Sequence, residues 1–221
     1  MNSKPRRGSV LRRILRSIDY AVRKYLVCES FLYQGKTYEY FCHMHASTWR
    51  SERAIEIPII WRKVQESNGK ETLEVGNVLS NYFSVSHDVV DKYEKAYGVI
   101  NEDAETFYRR KLYDLIISIS TIEHIGWNEE PQDHGKILRC VNNLVGLLAK
   151  GGVILFTVPV GYNPHLDKLL FGNGIENAQF SAFRRVSMYA WKPAEMSDLI
   201  GIRYDTPWQN ANGLVIVLIR K

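Results

Sequence analysis

From residue 70 onward, short apolar runs alternate with polar stretches that carry glycine, asparagine and proline. "ETLEV" (71–75), "DVVD" (88–91), "GVIN" (98–101), "YDLIISIS" (113–120) and "VILFTVPV" (153–160) have the length and β-branched content of buried strands. "GIRYDT" (201–206) and "GLVIVLI" (213–219) are predicted to close the sheet. Between strands, "PQDHGKILRCVNNLVGLLAK" (131–150) shows helical spacing, with Gly151 and Gly152 expected to cap its end, and "PAEMSDLI" (193–200) predicts a short helix opened by proline. Strands separated by helices over about 150 residues predict an α/β, Rossmann-like doubly wound sheet, mostly parallel. Such a sheet binds its ligand at the carboxyl ends of the strands, where strand order reverses.

The first 69 residues follow a different pattern. "MNSKPRRGS" (1–9) predicts a disordered arm, and from Val10 the apolar residues Val10, Leu11, Ile14, Leu15, Ile18, Val22 and Tyr25 recur at helical spacing among arginines. "FLYQGKTYEYF" (31–41) predicts two strand-prone stretches turning at Gly35. "STWRSERAIEIPIIWRKVQES" (47–67) predicts a helix capped by Ser47 or Thr48 and kinked or stopped early by Pro58. The organisation expected is therefore 1–69 as a basic arm, an amphipathic helix and a covering segment, followed by 70–221 as an α/β domain with an insertion at 161–192.

Charge sharpens this division. Residues 1–26 hold eight Lys or Arg against Asp19 alone, while the rest of the chain carries 21 basic and 23 acidic residues. Two readings stay open for residues 10–26: a helix packed on the body with its arginines in water, or attachment to an anionic membrane surface. Nucleic acid has no recognition motif behind it and is not expected as a partner. Cys28, Cys42 and Cys140 show no paired spacing, which fits free thiols and a cytoplasmic location, peripheral to a membrane if the helix attaches there. Cys42, His43 and His45 in "FCHMHAS" lack a second cluster at ligand spacing, so no metal site is expected.

The strand ends carry acids. Glu74 and Gly76 close the first strand, Asp91 the second and Asp103 the third. Glycine admits close backbone approach, and an acid at the second strand end can accept two ribose hydroxyls. A dinucleotide loop needs further glycines to seat pyrophosphate, and Asn77, Val78 and Leu79 stand there instead. Asn77 is predicted to take the left-handed turn.

In order and spacing, "LEVGN", "VVD", "NEDAETF", "YDLIISISTIEHIGW" and "LLAKGGVILFTVP" resemble the motifs of class I S-adenosylmethionine-dependent methyltransferases. The resemblance covers residues 72–160 well and 190–221 more loosely; of the family's acid-x-Gly-x-Gly-x-Gly, only the acid and first glycine are kept. It implies a sheet of about seven strands, the last antiparallel, and S-adenosyl-L-methionine as cofactor. It further implies that Glu74, Gly76 and Asn77 lie beside the methionine part. Asp91 would then hold the ribose, Asp103 and Ala104 the adenine, and Ile119 and Ser120 the pocket wall.

Other candidates follow from position. His124, after the fourth strand beside Glu123, is a candidate general base, or else a packing residue. Arg53, near Thr48 and Trp49 in the covering segment, could pair the cofactor's carboxylate. The 161–192 stretch is expected as acceptor-binding region and partial lid, with Tyr162, Asn163, His165 and Asp167 at its mouth. Arg184 and Arg185 are read as a solvated pair, or as contacts for an acidic acceptor. Methyl transfer to a small-molecule, sugar or glycan, or lipid-linked acceptor is the function expected. A non-catalytic module on the same fold and a nicotinamide-dependent oxidoreductase are the alternatives.

Overall fold

A computed structural model describes residues 7–27 and 29–221, with side chains described from residue 13 onward. The arm's first six residues and Cys28 lie outside the described residues.

Eight strands form one sheet in the order β5-β4-β3-β6-β7-β10-β8-β9. β3 (Thr72–Val75) pairs in parallel with β4 (Asp88–Val90) on one side and β6 (Tyr113–Ile119) on the other; β5 (Val99–Ile100) extends the first side and β7 (Leu148–Pro159) the second. β10 (Gly213–Arg220) inserts antiparallel between β7 and β8 (Ala178–Arg185). The expected sheet is thus present with one strand more, because β9 (Trp191–Ala194) adds an antiparallel edge to β8. The chain leaves β3 for β4 and β5, then returns across to β6, which puts the switch point between β3 and β6.

Each face of the sheet has its own core. α3 (Lys136–Gly146) and α4 (Pro164–Phe171) bury Ile137, Val141, Leu144, Leu166 and Leu170 on one face. α2 (Arg53–Glu66) and the hairpin of β1 (Ser30–Tyr33) and β2 (Lys36–Glu39) cover the other with Ile55, Ile59, Ile60, Phe31 and Tyr33. Burial of each such side chain stabilises the fold by about 1.5–3 kcal/mol. The hairpin turns through Gln34 and Gly35, both left-handed at φ 48° and 73°, as a two-residue turn of the primed kind requires. α1 (Arg7–Tyr25) realises the predicted amphipathic helix.

Pro58 does not end α2, which runs on to Glu66. The carbonyl that proline leaves without an intrahelical partner, that of Ala54, accepts the Phe41 N–H at 2.8 Å. The predicted cap also differs: Ser51 is extended (φ −140°, ψ 178°), α2 starts at Arg53, and the Thr48 hydroxyl instead donates to the Phe41 carbonyl and accepts the His43 N–H.

Several connections correct the sequence reading. Among the described residues no α-helix joins β3 to β4, β4 to β5, or β5 to β6; the first link holds only one 3₁₀ turn, Leu79–Asn81. α3 ends at Gly146, so Gly151 and Gly152 cap nothing and lie inside β7, where Gly151 donates to the Lys221 carbonyl. Pro193 and Ala194 belong to β9, which leaves a single 3₁₀ turn at Met196–Leu199. Residues 201–206 form a turn closed by an Arg203–Thr206 bridge, not a strand. The stretch 161–192 is no looped insertion: it supplies α4, β8 and β9, and β8 pairs along the length of β10.

Candidate functional site

The carboxyl ends of β3, β4, β5 and β6 open on a cavity of about 880 Å³. Gly76 lies at the switch point on its floor, in the left-handed region at φ 86°, with its N–H donating to the Val90 carbonyl at 2.8 Å. A Cβ there would run into the Thr121 side chain, so both conformation and space require glycine. Asn77 does not take the left-handed turn; Gly76 does.

Glu74 faces beneath this loop. Fully buried, it accepts the Val78 and Leu79 N–H groups through Oε1, at 2.9 Å each, and meets His87 Nε2 at 2.9 Å through Oε2. It does not line the cavity. Its carboxylate occupies the amides that would otherwise seat a phosphate after the first strand. Asn77 is buried as well, donating to Glu94 Oε1 at 2.7 Å and accepting from the Ser80 hydroxyl.

Asp91 and Asp103 both line the cavity, together with Ala104. Asp91 Oδ1 accepts the Tyr93 and Glu94 N–H groups at 2.8 and 2.7 Å, which folds the loop and leaves Oδ2 for a ligand. Asp103 is held by Lys136 Nζ at 2.6 Å and Lys92 Nζ at 3.0 Å. Burial works against its ionisation, but the two ammonium groups and the Glu105 N–H outweigh it and hold Asp103 at about 2. Lys136, almost fully buried, also meets Glu129 at 2.6 Å. Asp91, Glu94, Glu102, Asp103, Glu129 and Glu130 line the cavity; Lys92 and Lys136 offset Asp103 and Glu129, and Arg109 offsets Glu102, so the acidic excess lies at Asp91, Glu94 and Glu130.

His124 reaches the same cavity, its ring edge-on to Tyr162 with centroids 4.8 Å apart. Burial lowers its pKa, so the imidazole is neutral near pH 7 and able to take a proton. Glu123 is buried behind it, with Oε1 3.7 Å from His124 Nε2 and Oε2 without a hydrogen-bond partner. Desolvation raises the Glu123 carboxyl well above the usual range.

Arg53, Ile119 and Ser120 belong to an adjoining buried cluster and do not line the cavity. Arg53 donates to the Ile119 carbonyl at 3.1 Å and lies 3.5 Å from Glu56. Ser120 is left-handed at φ 39°, its hydroxyl donating to Glu56 and its N–H to Thr157 Oγ1 at 3.1 Å. Burial pushes Glu56 up to about 7 against the opposing pull of Arg53.

The four candidates at the start of 161–192 divide. The Tyr162 hydroxyl accepts from Asn128 Nδ2 at 2.9 Å at the cavity's edge. Asn163 caps α4, accepting the His165 and Leu166 N–H groups, and donates to the Glu123 carbonyl at 2.9 Å. His165 stacks on His134 at 3.5 Å between centroids. Asp167 turns back to accept the Gly161 N–H at 3.0 Å, and burial raises it to about 6. Arg185, read as half of a solvated pair, is buried and donates to the carbonyls of Arg50, Met188, Gln209 and Ala211. His43 Nδ1 accepts the His45 N–H, and among the described residues no three potential ligands stand together to hold a metal.

Lys92, Thr121, Asn128 and Glu129 were not legible as cavity residues, since they lie on loops without periodic pattern. Lys136 looked like any polar position of an amphipathic helix.

No protein-family model matches the sequence, and no curated protein is significantly similar to it. Solved structures are similar at low identity. N-methyltransferase NodS from Bradyrhizobium japonicum, in complex with S-adenosyl-L-homocysteine, is 13% identical over 74% of this chain and 84% of its own, with a TM-score of 0.45. A S-adenosylmethionine-dependent methyltransferase from Archaeoglobus fulgidus is 13% identical over 74% and 91%, with a TM-score of 0.45. The plantazolicin methyltransferase BpumL is 12% identical over 97% and 93%, with a TM-score of 0.43. What decides the fold is the chain's own sheet order, with β10 antiparallel between β7 and β8, and the ordered strand-end motifs. It is the class I methyltransferase fold. Within that methyltransferase fold this chain departs in its bare connections from β3 to β6 and in the added edge strand β9.

Proposed function

We propose that the protein transfers a methyl group from S-adenosyl-L-methionine to a small-molecule, sugar or glycan, or lipid-linked acceptor. One observation carries this reading: an acid-lined cavity at the switch point, beside a loop whose amides are already taken by Glu74. The acidic excess of Asp91, Glu94 and Glu130 repels a pyrophosphate and attracts a ligand with net positive charge, and the cofactor, with its sulfonium and amino groups, is such a ligand. The volume suits a nucleoside-sized molecule.

In this reading Gly76 admits the cofactor's close approach, Asp91 Oδ2 takes the ribose hydroxyls and the Asp103–Ala104 turn meets the adenine. Asp103 is presented to that contact ionised and clamped by two lysines. When bound, the cofactor supplies an electrophilic methyl on sulfur. The chain's part is to align acceptor and methyl in line, to exclude water, and to receive a proton at neutral His124 where the acceptor must lose one. Arg53 does not line the cavity and is tied to the Ile119 carbonyl and Glu56, so the cofactor's carboxylate is not assigned to it.

Titration calorimetry with S-adenosylmethionine, S-adenosylhomocysteine and the nicotinamide dinucleotides tests the cofactor, and a labelled-methyl screen against pooled metabolites and glycans tests the acceptor. Binding of both sulfur nucleosides and neither dinucleotide is expected. A dinucleotide binding alone would overturn the reading, and cofactor binding without transfer to any pool would favour the non-catalytic module.

A further inference from the structure

α1 sits on the body in an unusual way: it docks through its polar side and leaves its apolar side in water. Asp19 is its anchor. Oδ2 accepts Trp49 Nε1 at 2.7 Å and Arg50 Nε at 2.8 Å, and Oδ1 accepts the Tyr189 hydroxyl at 3.0 Å. Burial opposes ionisation of Asp19, but these three donors prevail and lower its pKa. Arg16 donates to the Met44 carbonyl at 2.7 Å, Tyr20 packs on Trp49, and the Arg23 guanidinium lies 3.8 Å over the Tyr189 ring.

The opposite side carries Ile14, Leu15, Ile18, Val22, Tyr25 and Leu26, between 39% and 78% exposed. At helical spacing the first five form one stripe. A helix that only completed a core would bury these residues, so the stripe is built for something outside the chain. Its neighbours indicate what. On the same helix Arg13 and Lys24 are exposed, and Asp19, the sole acid of residues 1–26, is consumed by the docking contacts. Apolar stripe and uncompensated cations together match the interface of an anionic bilayer, with the stripe among acyl chains and the long basic side chains reaching headgroups. Among the described residues no helix is long and apolar enough to cross a membrane, so the contact is one of lying on the surface.

We propose that α1 is a membrane-surface anchor, and that it holds the α/β body against an anionic lipid leaflet by the polar clamp at Asp19. This stands apart from the methyl-transfer reading, since no cavity residue takes part in it.

Flotation of the full chain with liposomes tests the proposal, using phosphatidylcholine alone and phosphatidylcholine mixed with phosphatidylglycerol. The protein should float with the mixed vesicles and stay behind with the neutral ones. Leu15→Glu with Ile18→Glu should abolish flotation while leaving the thermal melt and S-adenosylhomocysteine affinity unchanged, since both side chains are more than half exposed. Arg13→Gln with Lys24→Gln should weaken partitioning by about fivefold for each cation removed. No flotation of the wild type, or flotation unaltered by the two glutamates, would refute the anchor. A dimer in sedimentation velocity that the two glutamates dissolve, with no vesicle binding, would refute it too and assign the stripe to a second copy.

Discussion

Replacing Asp91 by asparagine separates two jobs of one carboxylate. Oδ1 accepts the Tyr93 and Glu94 N–H groups and so folds the loop after β4, whereas Oδ2 makes neither bond. Asparagine keeps an oxygen for the two amides but, on the proposed placement, offers the cofactor's ribose an NH₂ in place of a charged acceptor. A hydrogen bond to a charged group contributes about 1.5–3 kcal/mol. Losing one should therefore weaken S-adenosylhomocysteine binding by about 10- to 150-fold. The loop retains its cap, so the free energy of unfolding should move by less than about 0.5 kcal/mol. Asp91→Ala removes both jobs and should lose at least as much affinity, plus about 1 kcal/mol of stability. Calorimetry and urea unfolding on the same preparations read the two effects separately. Binding by Asp91→Asn within about threefold of wild type would remove Asp91 from the cofactor's contacts. Affinity and stability falling in parallel in both variants would make it a loop cap and nothing more.

Four further outcomes are expected. Glu56, raised from about 4.5 to about 7 by burial, binds its proton more tightly folded than unfolded, so its contribution to stability is complete in acid and lost as pH rises through 7. Glu56→Gln should accordingly stabilise the fold at pH 8 by up to about 3 kcal/mol relative to its effect at pH 4.5, read by urea unfolding at both; an equal effect at both would contradict it. Lys136→Met, which leaves Lys92 alone to bridge Asp103 and Glu129, should cost about 1.5–3 kcal/mol and raise the Asp103 titration seen by carboxyl NMR toward the ordinary range. Gly76→Ala should cost about 1–3 kcal/mol by thermal unfolding, through φ and the clash with Thr121 together. Pro58→Ala should fail to deliver the roughly 3 kcal/mol that removing a mid-helix proline usually returns, because the Ala54 carbonyl already has the Phe41 N–H; a full gain in chemical denaturation would show that this bond is weak.

The strands were legible because buried parallel strands are written as unbroken apolar runs: "YDLIISIS" and "GLVIVLI" are β6 and β10 within a residue or so. The acids at strand ends were legible because a sheet puts its loops at one edge, and Asp91 and Asp103 indeed meet across one cavity. What stayed hidden depends on side-chain direction. Glu74 sits one pleat from Val75, and nothing in "TLEVGN" says that it turns under the loop to His87. The 161–192 stretch seemed too long for a connection because β8 has few strongly apolar residues; pairing with β10, not composition, makes it a strand. Pro58 misled for a related reason, since its remedy comes from Phe41, seventeen residues upstream.

The bare connections between β3 and β6 bear on how the site keeps its shape. In a fully wound sheet, packed helices brace each ligand-bearing loop by apolar contact, which neither acid nor salt loosens much. Here the corresponding walls are laced by hydrogen bonds and ion pairs: Asp91 to its own loop, Asp103 and Glu129 to Lys92 and Lys136, with Glu74 beneath them bonded to two amides and His87. Such a wall can soften while the sheet behind it stays whole. A cationic ligand drawn to the same carboxylates then competes with the lacing as it enters, and filling the cavity and setting its walls become a single equilibrium.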